Sequence, residues 1–164
     1  MAKVVSTSVS SSGYEQKITV RTHKLTSDLS SKQGGKDSGP TPHEIFLAGL
    51  GACTAMTLQM VARLRKFDLQ QVVVTVVETT TVDPKDASKK IPLITEDVEL
   101  TGNLIASEIS SLTRAANRCP VYRLFTGAKQ IVTSVTHVVA SSPSKSGGSR
   151  SGGSKSGSKG KLTP

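Results

Sequence analysis

Residues 45–58 form a largely apolar run that contains Gly49 and Gly51, has threonine as its only polar residue type, and would be mostly apolar on every side of a helix. Such a helix is buried all round rather than on a single face. Each glycine costs a helix interior about 1 kcal/mol relative to alanine and is tolerable where another backbone comes close. We therefore expect this helix to be enclosed by a sheet and, as a further candidate, by a second subunit.

The start of this helix has a complete set of local signals. Thr41 and Glu44 have the spacing of a capping box, and Pro42 occupies the first helical position, where a missing N–H costs nothing. No further proline occurs between Pro42 and Pro84. The sequence predicts a helix from Pro42 to about Arg65.

The remaining segments predict an α+β domain over residues 1–140. Residues 3–9 and 14–23 read as a hairpin around the turn at 10–13, and a loop follows over 27–39. Further strands are predicted over 69–82 and 94–101, separated by Pro84 and a lysine-rich turn that extends to Lys90. A second helix over 107–118 and a closing strand over 129–139 complete the domain.

Residues 141–164 consist almost entirely of Ser, Gly and Lys. A segment without large apolar side chains cannot form a core, so we predict a disordered basic tail. The tail supplies five of the nine net positive charges. We interpret it as a solubilising extension, although a basic tail can also attract nucleic acid or an anionic membrane weakly.

Composition and motifs narrow the classes of function. Aromatic residues make up 3% of the chain and no basic stripe is present, which argues against specific nucleic-acid binding. The N-terminus lacks a secretory apolar segment, and we expect no apolar run to reach the length of a membrane span, so a cytoplasmic protein is predicted. The three histidines have no metal-site spacing and no nucleotide or phosphate motif occurs, so neither metal nor cofactor is implied.

The two cysteines, Cys53 and Cys119, are the leading candidates for chemistry. Cys53 lies within the apolar helix, whereas Pro120 would place Cys119 at the cap of a short helix, where the dipole favours a thiolate. A peroxide would convert one thiolate to a sulfenic acid, which a nearby second thiol would turn into a disulfide. The alternative that both are inert buried residues stays open.

Glu44 precedes Cys53 by nine residues, which places the two side chains on opposite sides of a straight helix. This spacing does not favour direct contact between them. A capping role for Glu44 is therefore at least as well supported as a catalytic one.

The segment Gly39-Pro40-Thr41-Pro42-His43-Glu44, continued to Gly51-Ala52-Cys53-Thr54, together with Arg118-Cys119-Pro120-Val121, resembles the OsmC/Ohr superfamily and is closest to its OsmC-like branch. The resemblance covers about residues 19–139. It implies an intertwined homodimer in which antiparallel sheets of both chains wrap long central helices. It also implies that Cys53 is the peroxidatic cysteine and Cys119 the resolving one, with organic hydroperoxides as substrates and a dithiol such as protein-bound lipoamide as reductant.

The sequence departs from the hydroperoxide-resistance branch at two positions. The activating glutamate of that branch lies ten residues before the cysteine, where this chain has His43 and places Glu44 one residue nearer. Arg21 is the nearest candidate for the branch's thiolate-pairing arginine, although a solvated strand residue is the better supported interpretation. His23 and Arg123 fit the pattern of the OsmC-like branch without an assignable role.

The sequence thus predicts a cytoplasmic, homodimeric and cofactor-free thiol peroxidase that acts in oxidative-stress defence. It would reduce organic hydroperoxides through a Cys53–Cys119 disulfide. The alternative is a non-enzymatic OsmC-fold protein that senses redox state or binds an apolar ligand. A third reading makes the basic tail the functional part, docking on nucleic acid or membrane.

Overall fold

A computed structural model describes residues 3–126 and 130–136 of the chain. The chain divides into two units, Met1–Lys129 and Gln130–Pro164. The first unit contains every helix and strand of the described residues. The domain boundary predicted at 140/141 stays a prediction, and the predicted tail lies outside the described residues.

The first unit begins with a three-stranded antiparallel sheet of strands β1 (Val4–Ser8), β2 (Gln16–Val20) and β3 (His23–Ser27), in the order β1-β2-β3. The predicted hairpin of β1 and β2 is confirmed, with Val4 opposite Val20. The prediction that the second strand extends to His23 was wrong. Arg21 adopts a left-handed φ of 55°, so Arg21 and Thr22 form a two-residue turn and His23 begins β3.

The loop after β3 is organised by a buried carboxylate. Asp28 is only 2% exposed and accepts hydrogen bonds from the backbone N–H groups of Leu29, Lys36 and Ser38 and from the Ser38 hydroxyl. These donors lower the pKa of Asp28, although burial acts in the opposite direction. One carboxylate thereby fixes the chain that leads into the long helix.

Helix α1 spans Pro42–Arg65, as predicted. The Thr41 hydroxyl accepts from the Glu44 N–H at 3.3 Å, and the Glu44 carboxylate accepts from the Thr41 N–H at 2.7 Å, which completes the capping box. At the other end, Lys66 takes a left-handed φ of 58° and its N–H bonds back to Ala62. Both ends of α1 are therefore set by local hydrogen bonds.

Strands β4 (Leu69–Asp83) and β5 (Asp86–Gly102) form a long antiparallel ribbon. The predicted lysine-rich turn was wrong, because the turn consists of Pro84 and Lys85 alone and Lys90 pairs with Val82 within the ladder. A long partner strand extends the pairing beyond what local propensity indicates. Pro92 is tolerated because β5 has a free edge in this two-stranded sheet.

Helices α2 (Ala106–Ala116) and α3 (Pro120–Thr126) complete the first unit. The small core lies between α1 and α2, where Leu58 and Ala62 pack against Leu112 and Ala115. The mixed α+β class with antiparallel sheets is confirmed. No residue of the three-stranded sheet belongs to this core cluster.

The side of α1 away from the core is open in the single chain, so the expected enclosure of this side by a second subunit stays a prediction. Phe46, Met56, Met60 and Leu64 are 54%, 63%, 66% and 83% exposed. Gly51 does allow a close approach, since a Cβ there would lie 3.0 Å from Cγ2 of Val76. A Cβ on Gly49 would face open space.

Helix α1 is also long and apolar enough to cross a bilayer, with 24 residues and a hydropathy of 1.7. The statement that no apolar run reaches this length was therefore wrong. Core helices of soluble proteins have the same length and composition. Because α1 packs its buried face against α2 and β4, we interpret it as a core helix.

The predicted closing strand is absent from residues 130–136, which have neither strand nor helix. Ile131, Val132 and Val135 are between 83% and 90% exposed. Their β-branched side chains favour a strand, but a strand also requires a partner that accepts and donates its backbone hydrogen bonds. Residues 129 and 137–139 of that prediction lie outside the described residues.

Candidate active site

The structure brings Cys53 and Cys119 together, although 66 positions separate them in the chain. Both are free thiols, and their side chains are within hydrogen-bond range of each other. Cys53 is half-buried on α1, whereas Cys119 is fully buried. A peroxide arriving from solvent would therefore reach Cys53 first.

Cys119 directly precedes α3, as the Cys-Pro dipeptide predicted. The Cys119 carbonyl accepts the Arg123 N–H at 3.2 Å, which is the first hydrogen bond of that helix. The N–H groups of Val121 and Tyr122 are directed at the Cys119 sulfur. N–H groups at the start of a helix have no acceptor within the helix, and they stabilise negative charge on an atom that they face.

The pKa values of the two thiols shift in opposite directions. Burial and the hydrogen bond with Cys119 raise the pKa of Cys53, although the Val121 N–H and the Thr57 hydroxyl oppose this shift. Burial also acts to raise the pKa of Cys119, but it is outweighed, first by the hydrogen bond from Cys53 and then by backbone N–H groups and Thr54, so that the pKa is lowered. The pair therefore holds its first thiolate on Cys119 and its proton on Cys53.

Two threonine hydroxyls border the thiols and differ in their hydrogen bonds. Thr54 is fully buried, and among the described residues its hydroxyl has no oxygen or nitrogen partner and interacts with the Cys119 sulfur alone. The Thr57 hydroxyl donates to the Cys53 carbonyl at 2.8 Å. Since a hydroxyl has one proton, Thr57 must leave that carbonyl before it can donate to the Cys53 sulfur.

Aromatic contact holds α3 against α1 beside the thiols. The rings of Phe46 and Phe125 stack with centroids 4.2 Å apart and an angle of 21°. At about 100° per residue, Cys53 lies on the same side of α1 as the exposed Phe46, Met56 and Met60. The half-buried thiol therefore opens onto an apolar surface.

Glu44 does not contact the thiols. Its carboxylate accepts from the N–H and the hydroxyl of Thr41 at 2.7 and 2.8 Å, and these bonds lower the pKa of Glu44. The helix-capping role that the spacing indicated is therefore the one the structure displays.

The side chains of the three predicted supporting residues contribute to the pKa shift of neither thiol within this chain. Arg21 lies in the exposed turn between β2 and β3, and His23 is exposed at the start of β3. Arg123 is exposed on α3, and its side chain does not contribute to the pKa shift of either cysteine. Within the described residues, the influences on the Cys53 pKa include no cation.

Sequence reasoning missed the Thr54 hydroxyl beside the thiols and a contact between Glu78 and His43 at the start of α1. Thr54 follows the cysteine directly and lies between Gly51 and Leu58 on the buried side of α1, so helical periodicity alone could have placed it in the interior. Glu78 on β4 pairs with His43 at the start of α1. No local signal predicts that pair, because it depends on how β4 packs against α1.

A metal centre is not indicated, since no group of three or more His, Cys, Asp or Glu residues in the described part of the chain is arranged to hold an ion. The chemistry available to this site is that of two adjacent thiols. They can form a disulfide with each other when one of them is oxidised.

Comparison with known proteins identifies the family. The model of the OsmC-like protein family matches residues 35–134. No curated protein matches the chain. The match covers more than half of the chain and includes both cysteines.

Solved structures share the fold at low sequence identity. An OsmC-like protein from Mycoplasma pneumoniae has a TM-score of 0.62 and 19% identity, over 77% of this chain and 88% of that chain. An organic hydroperoxide resistance protein OsmC from Legionella pneumophila has a TM-score of 0.57 and 21% identity, covering 77% and 90%. The organic hydroperoxide resistance protein OhrB of Bacillus subtilis has a TM-score of 0.54 and 21% identity, covering 77% and 91%.

The matched family model spans both cysteines, and the solved structures share the fold of this chain. The chain is a member of the OsmC-like protein family.

Proposed function

We propose that this protein is a thiol peroxidase that reduces organic hydroperoxides in oxidative-stress defence, through a disulfide between Cys53 and Cys119. The observation that carries the proposal is the contact between one solvent-accessible thiol and one buried thiol whose pKa is lowered. The family includes proteins that are named for organic hydroperoxide resistance. A cytoplasmic location is part of the proposal, because a reducing compartment would regenerate the two free thiols that the cycle requires.

The reaction begins with proton transfer along the hydrogen bond between the thiols. The Cys119 thiolate accepts the proton of Cys53, which leaves the thiolate on the accessible sulfur. Cys53 then attacks the terminal oxygen of the hydroperoxide, the O–O bond breaks, and the alkoxide leaves as an alcohol after taking up a proton. Cys53 is now a sulfenic acid.

Resolution uses the second thiol. Cys119 attacks the Cys53 sulfur, a disulfide forms, and the hydroxyl leaves as water after protonation. A dithiol reductant, of which a lipoylated protein is our candidate, opens this disulfide by thiol–disulfide exchange and restores both thiols. The apolar surface around Cys53 favours bulky apolar hydroperoxides over hydrogen peroxide.

The working form is proposed to be a homodimer in which a second copy covers the open side of α1. Phe46, Met56, Met60 and Leu64 present a continuous apolar surface there, and such surfaces mark protein interfaces. A second copy would also supply what Cys53 lacks within its own chain, a cation beside its sulfur. We assign this role first to Arg21, then to His23 and Arg123, with Glu44 as a supporting residue.

The first test is mass spectrometry of the reduced protein after one equivalent of cumene hydroperoxide, with thiol alkylation and peptide mapping. We expect a rapid Cys53–Cys119 disulfide in the native sequence. In Cys119→Ser, a sulfenic acid should accumulate at Cys53, and Cys53→Ser should lose turnover. Sulfenic acid on Cys119 in Cys53→Ser, at an undiminished rate, would reverse the roles of the two cysteines.

The proposed dimer and its cation have a separate test. Arg21→Met should slow the oxidation of Cys53, whereas Lys24→Met, an exposed cation on β3, should leave the rate unchanged. Equal rates in the two variants would remove Arg21 from the mechanism. Sedimentation at several concentrations reports the oligomeric state directly.

A redox sensor or apolar-ligand protein is the second candidate. The raised pKa of Cys53 and the lack of a cation among the influences on that pKa favour it. Two thiols that stay reduced under excess peroxide, without turnover of the reductant, would select this candidate. Undiminished salt-sensitive binding to nucleic acid or vesicles after deletion of residues 141–164 would exclude the tail as a docking element.

A further inference from the structure

A cavity of about 300 Å³ lies between β5 and α2 and reaches the buried side of α1. Leu58 lines it from α1, five residues after Cys53, which is a rotation of about 140° around the helix. The cavity and the thiols therefore lie on different sides of α1. Its lining consists of Leu58, Val98, Leu100, Ile109, Leu112 and Ala116, with Glu96, Thr113 and Asn117 as the polar members.

Glu96 is the unusual residue in this lining. It alternates along β5 with exposed residues, so its side chain lies on the same face as Val98 and Leu100, towards the apolar cavity. Glu96 as a whole is half-buried, but its Oε1 is buried and finds no hydrogen-bond partner among the residues that the structure describes. None of the ion pairs within the described residues includes Glu96.

A desolvated carboxylate oxygen without a donor is unfavourable, and buried polar groups in native proteins are normally satisfied by protein, water or ligand. The cavity has room for roughly ten waters at liquid density. Most of its lining is hydrocarbon, which favours an apolar occupant over water. A ligand that complements this lining carries one positively charged hydrogen-bond donor on a short apolar chain.

We propose that the cavity is a binding site for a small organic cation, an alkylammonium. Its ammonium group donates to Oε1 of Glu96, and its remaining protons reach the hydroxyl of Thr113 and the amide oxygen of Asn117. The alkyl chain lies against the leucine and valine side chains. An anionic ligand would place like charge beside the carboxylate, and an alcohol would supply a donor without the charge.

The site is separate from the proposed peroxidase. It uses neither sulfur, so Cys53→Ser should bind the cation like the native sequence. Loss of peroxidase activity and loss of cation binding are therefore distinguishable outcomes.

The test is isothermal titration calorimetry of the full reduced chain with n-hexylammonium chloride, hexan-1-ol and sodium hexanoate at equal ionic strength. We expect saturable binding of one hexylammonium per chain, weaker binding of the alcohol and none of hexanoate. Glu96→Gln, which keeps the shape of the side chain, should lower the affinity for hexylammonium at least tenfold. Ala116→Leu should remove binding by filling the cavity.

The matched control is Glu99→Gln, because Glu99 lies on the same strand with its side chain exposed. It should bind like the native sequence. No saturable binding, equal affinity for hexylammonium and hexan-1-ol, or full affinity in Glu96→Gln would each overturn the proposal. The ligand series on the native chain decides the matter even if a variant does not fold.

Discussion

Thr54→Val should separate two effects of one buried hydroxyl. Thr54 is 0% exposed and its hydroxyl has no oxygen or nitrogen partner, so the folded state bears the desolvation of that hydroxyl. An unsatisfied buried hydroxyl costs about 1–3 kcal/mol, part of which the contact with sulfur recovers. Valine has nearly the same shape, so we expect a gain of about 1 kcal/mol in the free energy of unfolding.

The same change should make the thiol pair less acidic. The Thr54 hydroxyl is one of the groups that lower the pKa of Cys119. Its removal therefore raises that pKa, leaves less thiolate at neutral pH, and slows the first step of oxidation. The variant should be more stable and less reactive.

Two measurements check this pair of effects. Urea unfolding of the reduced protein gives the stability, and a gain of 1 kcal/mol corresponds to a rise in Tm of about 3 °C for a chain of this size. Absorbance at 240 nm against pH gives the thiolate titration. Thr113→Val is the control for that titration, because the exposed Thr113 hydroxyl donates to the Ile109 carbonyl and contributes to the pKa shift of neither cysteine. A destabilised Thr54→Val with an unchanged titration would refute the reasoning.

Three further predictions concern the fold. Leu58 is 1% exposed in the core, and Leu58→Ala should lower the free energy of unfolding in urea by about 3–4 kcal/mol. Leu64 is 83% exposed in one chain, so Leu64→Ala should lower that free energy only at concentrations where a dimer forms. Equal losses that do not depend on concentration would contradict the open side of α1. Gly51→Ala should destabilise the protein by roughly 1 kcal/mol because its Cβ would lie 3.0 Å from a valine methyl of β4, and an increase in stability would show that this contact relaxes freely. Because the folded pKa of Asp28 is lowered, its contribution to stability is present above the unfolded pKa of about 3.8 and is lost as pH falls through the folded value. Asp28→Asn should reduce the loss of unfolding free energy at acidic pH, measured by urea unfolding at several pH values. An unchanged loss would show that Asp28 is not its cause.

The predictions from sequence were most accurate for α1 and for the short helix after Cys119. The Thr41 cap, the proline at the first position and the Cys-Pro dipeptide act within a few residues, so the sequence contains the whole of each signal. The same approach misplaced the turn between β4 and β5, because an extended partner strand kept Lys90 in the ladder. It also predicted a strand over 129–139 from propensity, but residues 130–136 have no partner strand with which to form one.

The sequence by itself determined where α1 begins and ends, that the fold is α+β, and that Cys53 and Cys119 are the residues with redox chemistry available. Only the tertiary structure decided that these thiols touch, that this contact lowers the pKa of Cys119 and raises that of Cys53, and that Glu44 stays apart from them. The physical reason is the range of the interactions. Caps, prolines and strand periodicity act between near neighbours in the chain, whereas the pKa of a thiol depends on every donor and charge that the packed chain brings around it.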